Sequence, residues 1–378
     1  MSQRADLRAA ADAASDWLFG SAMPLWLNRG VDWDRGGFFD ALDPMTLEHH
    51  GEFKRLRVTT RQIYVFAVGA AQGVPRAAAA VEHGLAFLLG PSRHPDGGFA
   101  SRCDMSGAII DPTRDLYDLA FTLFALAHAY RLTGRAELTA EARILLDFIE
   151  MRMRHPAGGF DEAIPAILPR RQNPHMHLLE AALACAEHMP DAAFGALSDE
   201  LVTLCRDHFL DGDTGVLREY FDDSLVAQRD PAGRALIEPG HLLEWACLLR
   251  QHARIRGRVT SGADALARTA LRHGLDQETG LLRGKLFDDG SIAEAAVRIW
   301  PHGEWLKAAL ELPDAAGDPI AAWAALARFL DVPRPGIWRE QWDPAIGQFP
   351  SVPVPASSLY HITSAIMELR RHAGYQTT

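Results

Sequence analysis

One motif returns six times in this chain of 378 residues: DRGGFFDALD at Gly37, HPDGGFASRCD at Gly98, HPAGGFDEAI at Gly159, DGDTGVLREYFD at Gly215, DQETGLLRGKLFDDG at Gly280 and DPAIGQFPSV at Gly347. Each is a Gly turn followed closely by Phe or Leu, and the named glycines lie 56 to 67 residues apart. Length alone would divide such a chain into two or three domains, but a regular period is the mark of a repeat architecture and takes precedence. Each interval has room for two helices. DLYDLAFTLFALAHAYRLTG and AELTAEARILLDFIEMRM both carry apolar residues at i, i+3, i+4 and i+7, with Gly134 as a helix stop between them. HLLEAALACAEHM with LSDELVTLCRDHFL, and HLLEWACLLRQHARIRG with ADALARTALRHGL, repeat the pattern. In each pair the first helix is the more apolar, as an inner helix covered by its partner would be.

Six helical hairpins closing on themselves predict an all-α fold, an (α/α)6 barrel with short β-hairpin-like loops, and residues 1–378 then form one domain with no linker left over. An open solenoid is the alternative. Solenoids need polar capping repeats, whereas the last helix, YHITSAIMELRRHAG, is as amphipathic as the central ones, so closure is the expectation.

Composition narrows the partners. Lys plus Arg number 38 against 49 Asp plus Glu, a net charge of −11 with no long basic block, which argues against nucleic acid and anionic membrane. The four cysteines form no CxxC pair, so neither a disulfide scaffold nor a Cys-rich metal site is expected, and a reducing cytoplasm fits. No signal-peptide core and no run of about 18 uncharged apolar residues interrupts the chain. A soluble cytoplasmic protein, monomer or homodimer, is the expectation.

Polar and aromatic residues fall at one phase of the repeat, in the first helix of every unit: Arg61, Asp115 and Tyr117, His177, His241, Trp300 and Glu304, and His361. First helices running in one sense would bring these to one end of the barrel. His177 and Glu180, and His241 and Glu244, share the tetrapeptide HLLE, which sets imidazole and carboxylate on one helical face. A single inner-helix histidine is usually a satisfied core residue; three in register point to a site. A metal reading can be built from His175, His177 and His361, but no HExxH, Cys cluster or acidic loop supports it, and no Gly-rich phosphate cradle stands in the required strand–helix context. No metal and no cofactor are expected. Histidines that take and return protons, an Arg beside a developing oxyanion, and Trp and Tyr against a sugar face suit proton abstraction α to a carbonyl. Glycoside hydrolysis would instead want two carboxylates flanking a cleft, and a non-catalytic helical-repeat scaffold would use a concave surface rather than an axial pocket.

The segments TTRQIYVFA (59–67), DLYDLAFTLFALA (115–127), NPHMHLLEA (173–181), EPGHLLEWA (238–246), WPHGEWLKA (300–308) and YHITSAI (360–366), in this order, resemble the N-acylglucosamine 2-epimerase superfamily, most of all its mannose isomerase branch. The resemblance covers nearly the whole chain. It implies the (α/α)6 barrel and a metal-independent reaction on an open-chain aldose through a cis-enediolate. It implies His241 and His361 as the acid/base pair, His177 as a third histidine for ring opening or orientation, and Arg61 on the substrate oxygens. Asn173, Tyr117, Asp115, Glu180, Glu244, Trp300 and Glu304 would be pocket residues. The sequence departs from the pattern at Arg57, where acylhexosamine epimerases typically have Trp; this argues against an N-acetyl substrate and adds Arg57 to the pocket. His302 is a second departure, facing either ligand or a loop. The expected partner is a monosaccharide and the expected reaction the interconversion of D-mannose and D-fructose, with D-lyxose and D-xylulose as further substrates. A 2-epimerase on the same barrel is the alternative.

Overall fold

The computed structural model describes residues 2–211, 214–259 and 261–376. Its helices are α1 (Ser2–Trp17), α2 (Met23–Arg29), α3 (Leu56–Ala71), α4 (Ala77–Leu89), α5 (Leu116–Thr133), α6 (Ala136–Arg152), α7 (Gln172–His188), α8 (Ala192–Leu204), α9 (Pro239–Arg256), α10 (Ala263–Gly274), α11 (Trp300–Glu311), α12 (Pro313–Ala316), α13 (Pro319–Leu330) and α14 (Leu359–His372). The inner ring is α3, α5, α7, α9, α11 and α14, each packed on the next and α14 back on α3. Outside it lie α4, α6, α8, α10, α13 and α1. This is the (α/α)6 barrel.

The two rings bury their residues differently. In α7 every residue from Pro174 to Cys185 is buried, as a helix covered on all sides requires, whereas α6 buries a single stripe of Leu138, Ala142, Leu145, Leu146, Phe148 and Ile149. Among the described residues no helix is long and apolar enough to cross a membrane.

A short strand leads into every inner helix and pairs antiparallel with a strand of the following repeat. Phe53–Arg55 pairs with Arg102–Asp104, Arg114–Asp115 with Ala163–Ile164, and Arg170–Arg171 with Tyr220–Phe221. Leu236–Ile237 pairs with Lys285–Phe287, and Val297–Arg298 with Gln341–Trp342. The last, Val354–Pro355, returns to Ala41–Leu42 of the first repeat and closes the circle. Gln62 Nε2 reinforces the seam by donating to the Ala356 carbonyl at 2.8 Å.

The sixth turn lies elsewhere than at Gly347. In each repeat the residue after the turn donates its N–H back to the end of the preceding outer helix or the loop just after it, as Ala100 does to Ser92 and Arg283 to Gly274; in the last repeat Arg339 donates to Phe329, so the turn is at Gly336, with φ +98°. Gly347 sits in the following hairpin, closed by the Asp343–Gln348 bridge. The DPAIG wording imitates the repeat turn, while the true turn is written VPRPG.

First and last repeats also meet through indoles. Trp26 of α2 stacks on Trp338 with ring centroids 5.3 Å apart, and its Nε1 donates to the Gly336 carbonyl at 3.2 Å. Trp26→Ala removes both contacts from a fully buried position. It is expected to destabilise the protein by about 3–5 kcal/mol in urea unfolding; a loss below about 1 kcal/mol would show that this seam does not hold the ring closed.

Candidate active site

A cavity of about 200 Å³ opens on the barrel axis, and Arg61, Tyr117, Asn173, His177, His241, Trp300 and His361 line it. All stand within the first two turns of an inner helix. The leading strands set where those helices start, so the pairing ring aims helix N-termini, with their partial positive charge, at one space.

Three histidines enter the cavity with different partners. His241 directs Nδ1 at Glu219, 3.0 Å from Oε2, with Glu238 at 3.9 Å. Burial alone would lower its pKa, but Glu219, Glu238 and Glu244 outweigh it and raise it to about 10. His361 donates Nδ1–H to Glu304 Oε1 at 2.8 Å. There burial prevails, with Arg61 and Lys307 adding to it, and the pKa falls to about 3. His177 donates Nδ1–H to Glu180 Oε2 at 3.0 Å, and burial takes its pKa to about 4. His241 is thus an imidazolium at neutral pH while His361 and His177 are neutral, each with Nε2 left to the cavity.

Trp300 lies between the first two, its ring centroid 4.9 Å from that of His241 and 5.5 Å from that of His361. Gly240 makes this possible, because a Cβ there would lie 2.6 Å from the Trp300 ring. Arg61 donates to Tyr117 Oη at 2.6 Å, and its guanidinium carbon lies 4.2 Å from the Phe121 ring centroid and 4.9 Å from that of Tyr360. The cation is held by aromatic faces and keeps donor capacity for a ligand. Asn173 Oδ1 and both Glu244 oxygens are buried without a hydrogen-bond partner. Burial and the nearby Glu304 raise the Glu244 pKa well above its ordinary value.

Glu180, Glu304, Asp115 and Arg57 stand behind the cavity wall. Glu180 accepts from His177 and from Tyr360 Oη, and Glu304 from His361. Asp115 caps α5 by accepting from the Tyr117 N–H. Arg57 pairs with Asp118 at 2.8 Å and packs on Tyr117, 4.8 Å from its ring centroid; it acts on the pocket through Tyr117 rather than replacing a wall. His302 faces a loop: Nδ1–H donates to the Arg298 carbonyl at 2.9 Å and Nε2 accepts from the Leu282 N–H at 3.0 Å. His175 does the same with Arg171 and Phe160, so it does not join His177 in a ligand set. Ligand atoms of His177, Glu180 and Glu244, of Glu219, Glu238 and His241, and of Glu244, Glu304 and His361 do lie within 4.8 Å of one another. In each set an imidazole N–H already occupies a carboxylate oxygen, an arrangement of ion pairs and hydrogen bonds rather than of open metal donors.

The model of the N-acylglucosamine 2-epimerase (GlcNAc 2-epimerase) family matches residues 37–365. The chain belongs to the N-acylglucosamine 2-epimerase family. It is therefore an enzyme of the sugar isomerase and epimerase type. A protein of Rhizobium meliloti (strain 1021) named mannose-6-phosphate isomerase is 38% identical over 382 residues, covering 96% of this chain and 97% of that one. The D-mannose isomerase of Thermobifida fusca is 29% identical over 330 residues, 78% of each chain. Among solved structures, cellobiose 2-epimerase from Spirochaeta thermophila DSM 6192 superposes with a TM-score of 0.87 at 22% identity, covering 99% of this chain and 98% of that one.

Sequence reasoning missed the family site's supporting carboxylates Glu219 and Glu238, and the pocket residues Lys285, Glu294 and Arg298. They come from loops and short strands, where no helical phase marks them. Glu219 is itself anchored: Gln172 Nε2 donates to it at 2.8 Å, and Trp245 Nε1 donates to Gln172 at 2.6 Å.

Because the folded pKa of His241 is raised from 6.5 to about 10, its pairing stabilises the fold fully below the unfolded value and is lost as pH rises through the folded one. With ring-labelled histidine, NMR should find His241 protonated and His177 and His361 neutral at pH near 7. Glu219→Gln should let His241 lose its proton at a lower pH. An unchanged His241 titration in that variant would remove Glu219 from this role.

Proposed function

We propose that the protein is an aldose–ketose isomerase that interconverts D-mannose and D-fructose, with D-lyxose and D-xylulose as further substrates, and that residues 1–378 act as one catalytic unit. The observation that carries the reading is the pair of imidazoles in opposite protonation states on either side of Trp300. Neutral His361 removes the C2 proton of the open-chain aldose through Nε2. Protonated His241 gives a proton to the carbonyl oxygen, and Arg61 steadies the cis-enediolate. Return of the carbon-bound proton to C1, with the O2 hydroxyl proton passing back to His241, yields the ketose. His177, neutral and fixed by Glu180, is suited to moving a hydroxyl proton during ring opening, with Asn173 and Glu244 binding hydroxyls.

The lining favours an uncharged sugar. Lys285 and Arg298 are already paired, with Glu294 at 3.1 Å and Glu340 at 3.3 Å, so these two cations are engaged, and Glu238 sets a further carboxyl in the lining. A sugar phosphate, suggested by the name of the Rhizobium meliloti relative, remains an outcome of the test. The second reading, a 2-epimerase, differs in one step: the proton returns to the opposite face of C2. The likeness to cellobiose 2-epimerase in fold keeps it in view.

Incubation with D-mannose in D2O, read by NMR, should give fructose carrying deuterium. Glucose without fructose would favour the epimerase, exclusive turnover of mannose 6-phosphate would move the substrate, and no turnover of any aldose joined to oligosaccharide hydrolysis would overturn both. His361→Ala and His241→Ala should each lower kcat by about 100-fold or more with an unchanged helical circular dichroism spectrum. Activity that vanishes in EDTA and returns with a divalent ion would contradict the metal-independent mechanism.

A further inference from the structure

The barrel axis holds a second, larger cavity of about 1050 Å³ toward the C-terminal ends of the inner helices. Between it and the substrate cavity stand three buried carboxyls, Glu180, Glu244 and Glu304, and one ammonium, Lys307, whose side chain is 14% exposed and borders the larger cavity. Lys307 contributes nothing to the lining of the substrate cavity. Its Nζ lies 2.6 Å from Glu304 Oε2, and Glu304 Oε1 accepts Nδ1–H of His361 at 2.8 Å. One carboxylate thus joins a lysine outside the site to a histidine inside it.

We propose that Lys307 is a positioning residue that keeps His361 a neutral base by supplying the positive charge that compensates Glu304. The inference rests on the reading of His361 as the base. A buried carboxylate stays charged only where a partner compensates it, and removal of one partner leaves the other uncompensated. The groups facing this trio come from every neighbouring inner helix: Arg61 and Tyr64 of α3, Glu180 of α7, Glu244 and Cys247 of α9, and Tyr360 and Glu368 of α14. Most are acidic or neutral. Arg61 faces His361, but Lys307 is the cation bonded to Glu304. Without it the charge of Glu304 falls on the imidazole alone, which then takes a proton at a higher pH and ceases to be a base over that range. Lys307 borders the open second cavity with its side chain 14% exposed, while Glu304 carries its effect to His361 on the side of the substrate cavity.

The test compares wild type, Lys307→Met, Lys307→Arg and His361→Ala in the full-length protein, with D-mannose as substrate and ring-labelled histidine for NMR. Lys307→Met should move the acid limb of the kcat profile upward by about one unit or more, lower kcat by up to about 10-fold on that limb, and leave KM within about two-fold. The His361 resonance should show protonation at a correspondingly higher pH, and Lys307→Arg should restore both. If Lys307→Met does not fold, Lys307→Gln carries the same readouts. A uniform loss of kcat with an unmoved limb and an unmoved His361 titration would reduce Lys307 to a structural role and overturn the proposal. The NMR readout needs no activity, so it decides the proposal even if an active His361→Ala variant were to remove His361 from the base role.

Discussion

Everything at the site depends on where six helices begin. An inner helix packed on all sides has no exposed face on which to carry chemistry, so its functional residues crowd into its first turns, and the strand ahead of it sets their height on the axis. Each leading strand is held by a strand of the next repeat, and the last by the first, so the six starting points are coupled round a circle. Had the array stayed open, the Val354–Pro355 pairing with Ala41–Leu42 would be missing, and His361 would have no fixed position relative to Arg61. Closure is thus a condition of the site as well as of the fold.

Within that frame the ionisable groups carry an electrostatic problem. Histidines, carboxyls, an arginine and a lysine are taken out of water together, and each needs a partner to remain charged. The solution is unequal. His241 is given Glu219 and Glu238 and holds a proton; His361 is given one carboxylate that is already committed to Lys307 and stays neutral. Two identical side chains are pushed apart by their surroundings, the usual way one site acquires both an acid and a base. Glu244, with neither oxygen bonded, is the third member of the arrangement: burial and the nearby Glu304 push its pKa upward.

The repeat was legible because turns and periodicity are local. Inner and outer helices could be told apart by how continuous their apolar residues are, and the phase of His177, His241, Trp300 and His361 in the first helices located the site's end of the barrel. What lay beyond sequence was partnership across distance. HLLE reads identically at 177–180 and 241–244, yet Glu180 holds His177 while His241 is held by Glu219, which arrives on the loop after the turn that opens its own repeat. His302 carries the same letter as His361, but it stands where its ring closes a turn of its own repeat. The sixth turn was misplaced for a similar reason: Asp and Gly mark any tight turn, and nothing local says which of two in succession follows the outer helix.

The chemistry that these states favour can be followed one step further. In the proposed reaction a neutral base on one side and a charged acid on the other complement an enediolate, because negative charge would develop toward His241 and Arg61 as the proton leaves toward His361. Hydrolysis of a glycosidic bond would place positive charge at the sugar carbon instead, beside an imidazolium and a guanidinium, and would need an ionised carboxylate facing the cavity. Burial and Glu304 raise the pKa of Glu244; Glu180 and Glu304 turn their oxygens to His177, Tyr360, His361 and Lys307, Glu238 lies beside His241, and Glu294 is paired with Lys285. The barrel therefore shares its architecture with glycosidases while its charge distribution runs the other way. In the proposed reaction, whether the carbon-bound proton returns to C1 or to C2 would turn on how the enediolate can move against Trp300, whose ring lies 4.9 Å from that of His241 and 5.5 Å from that of His361.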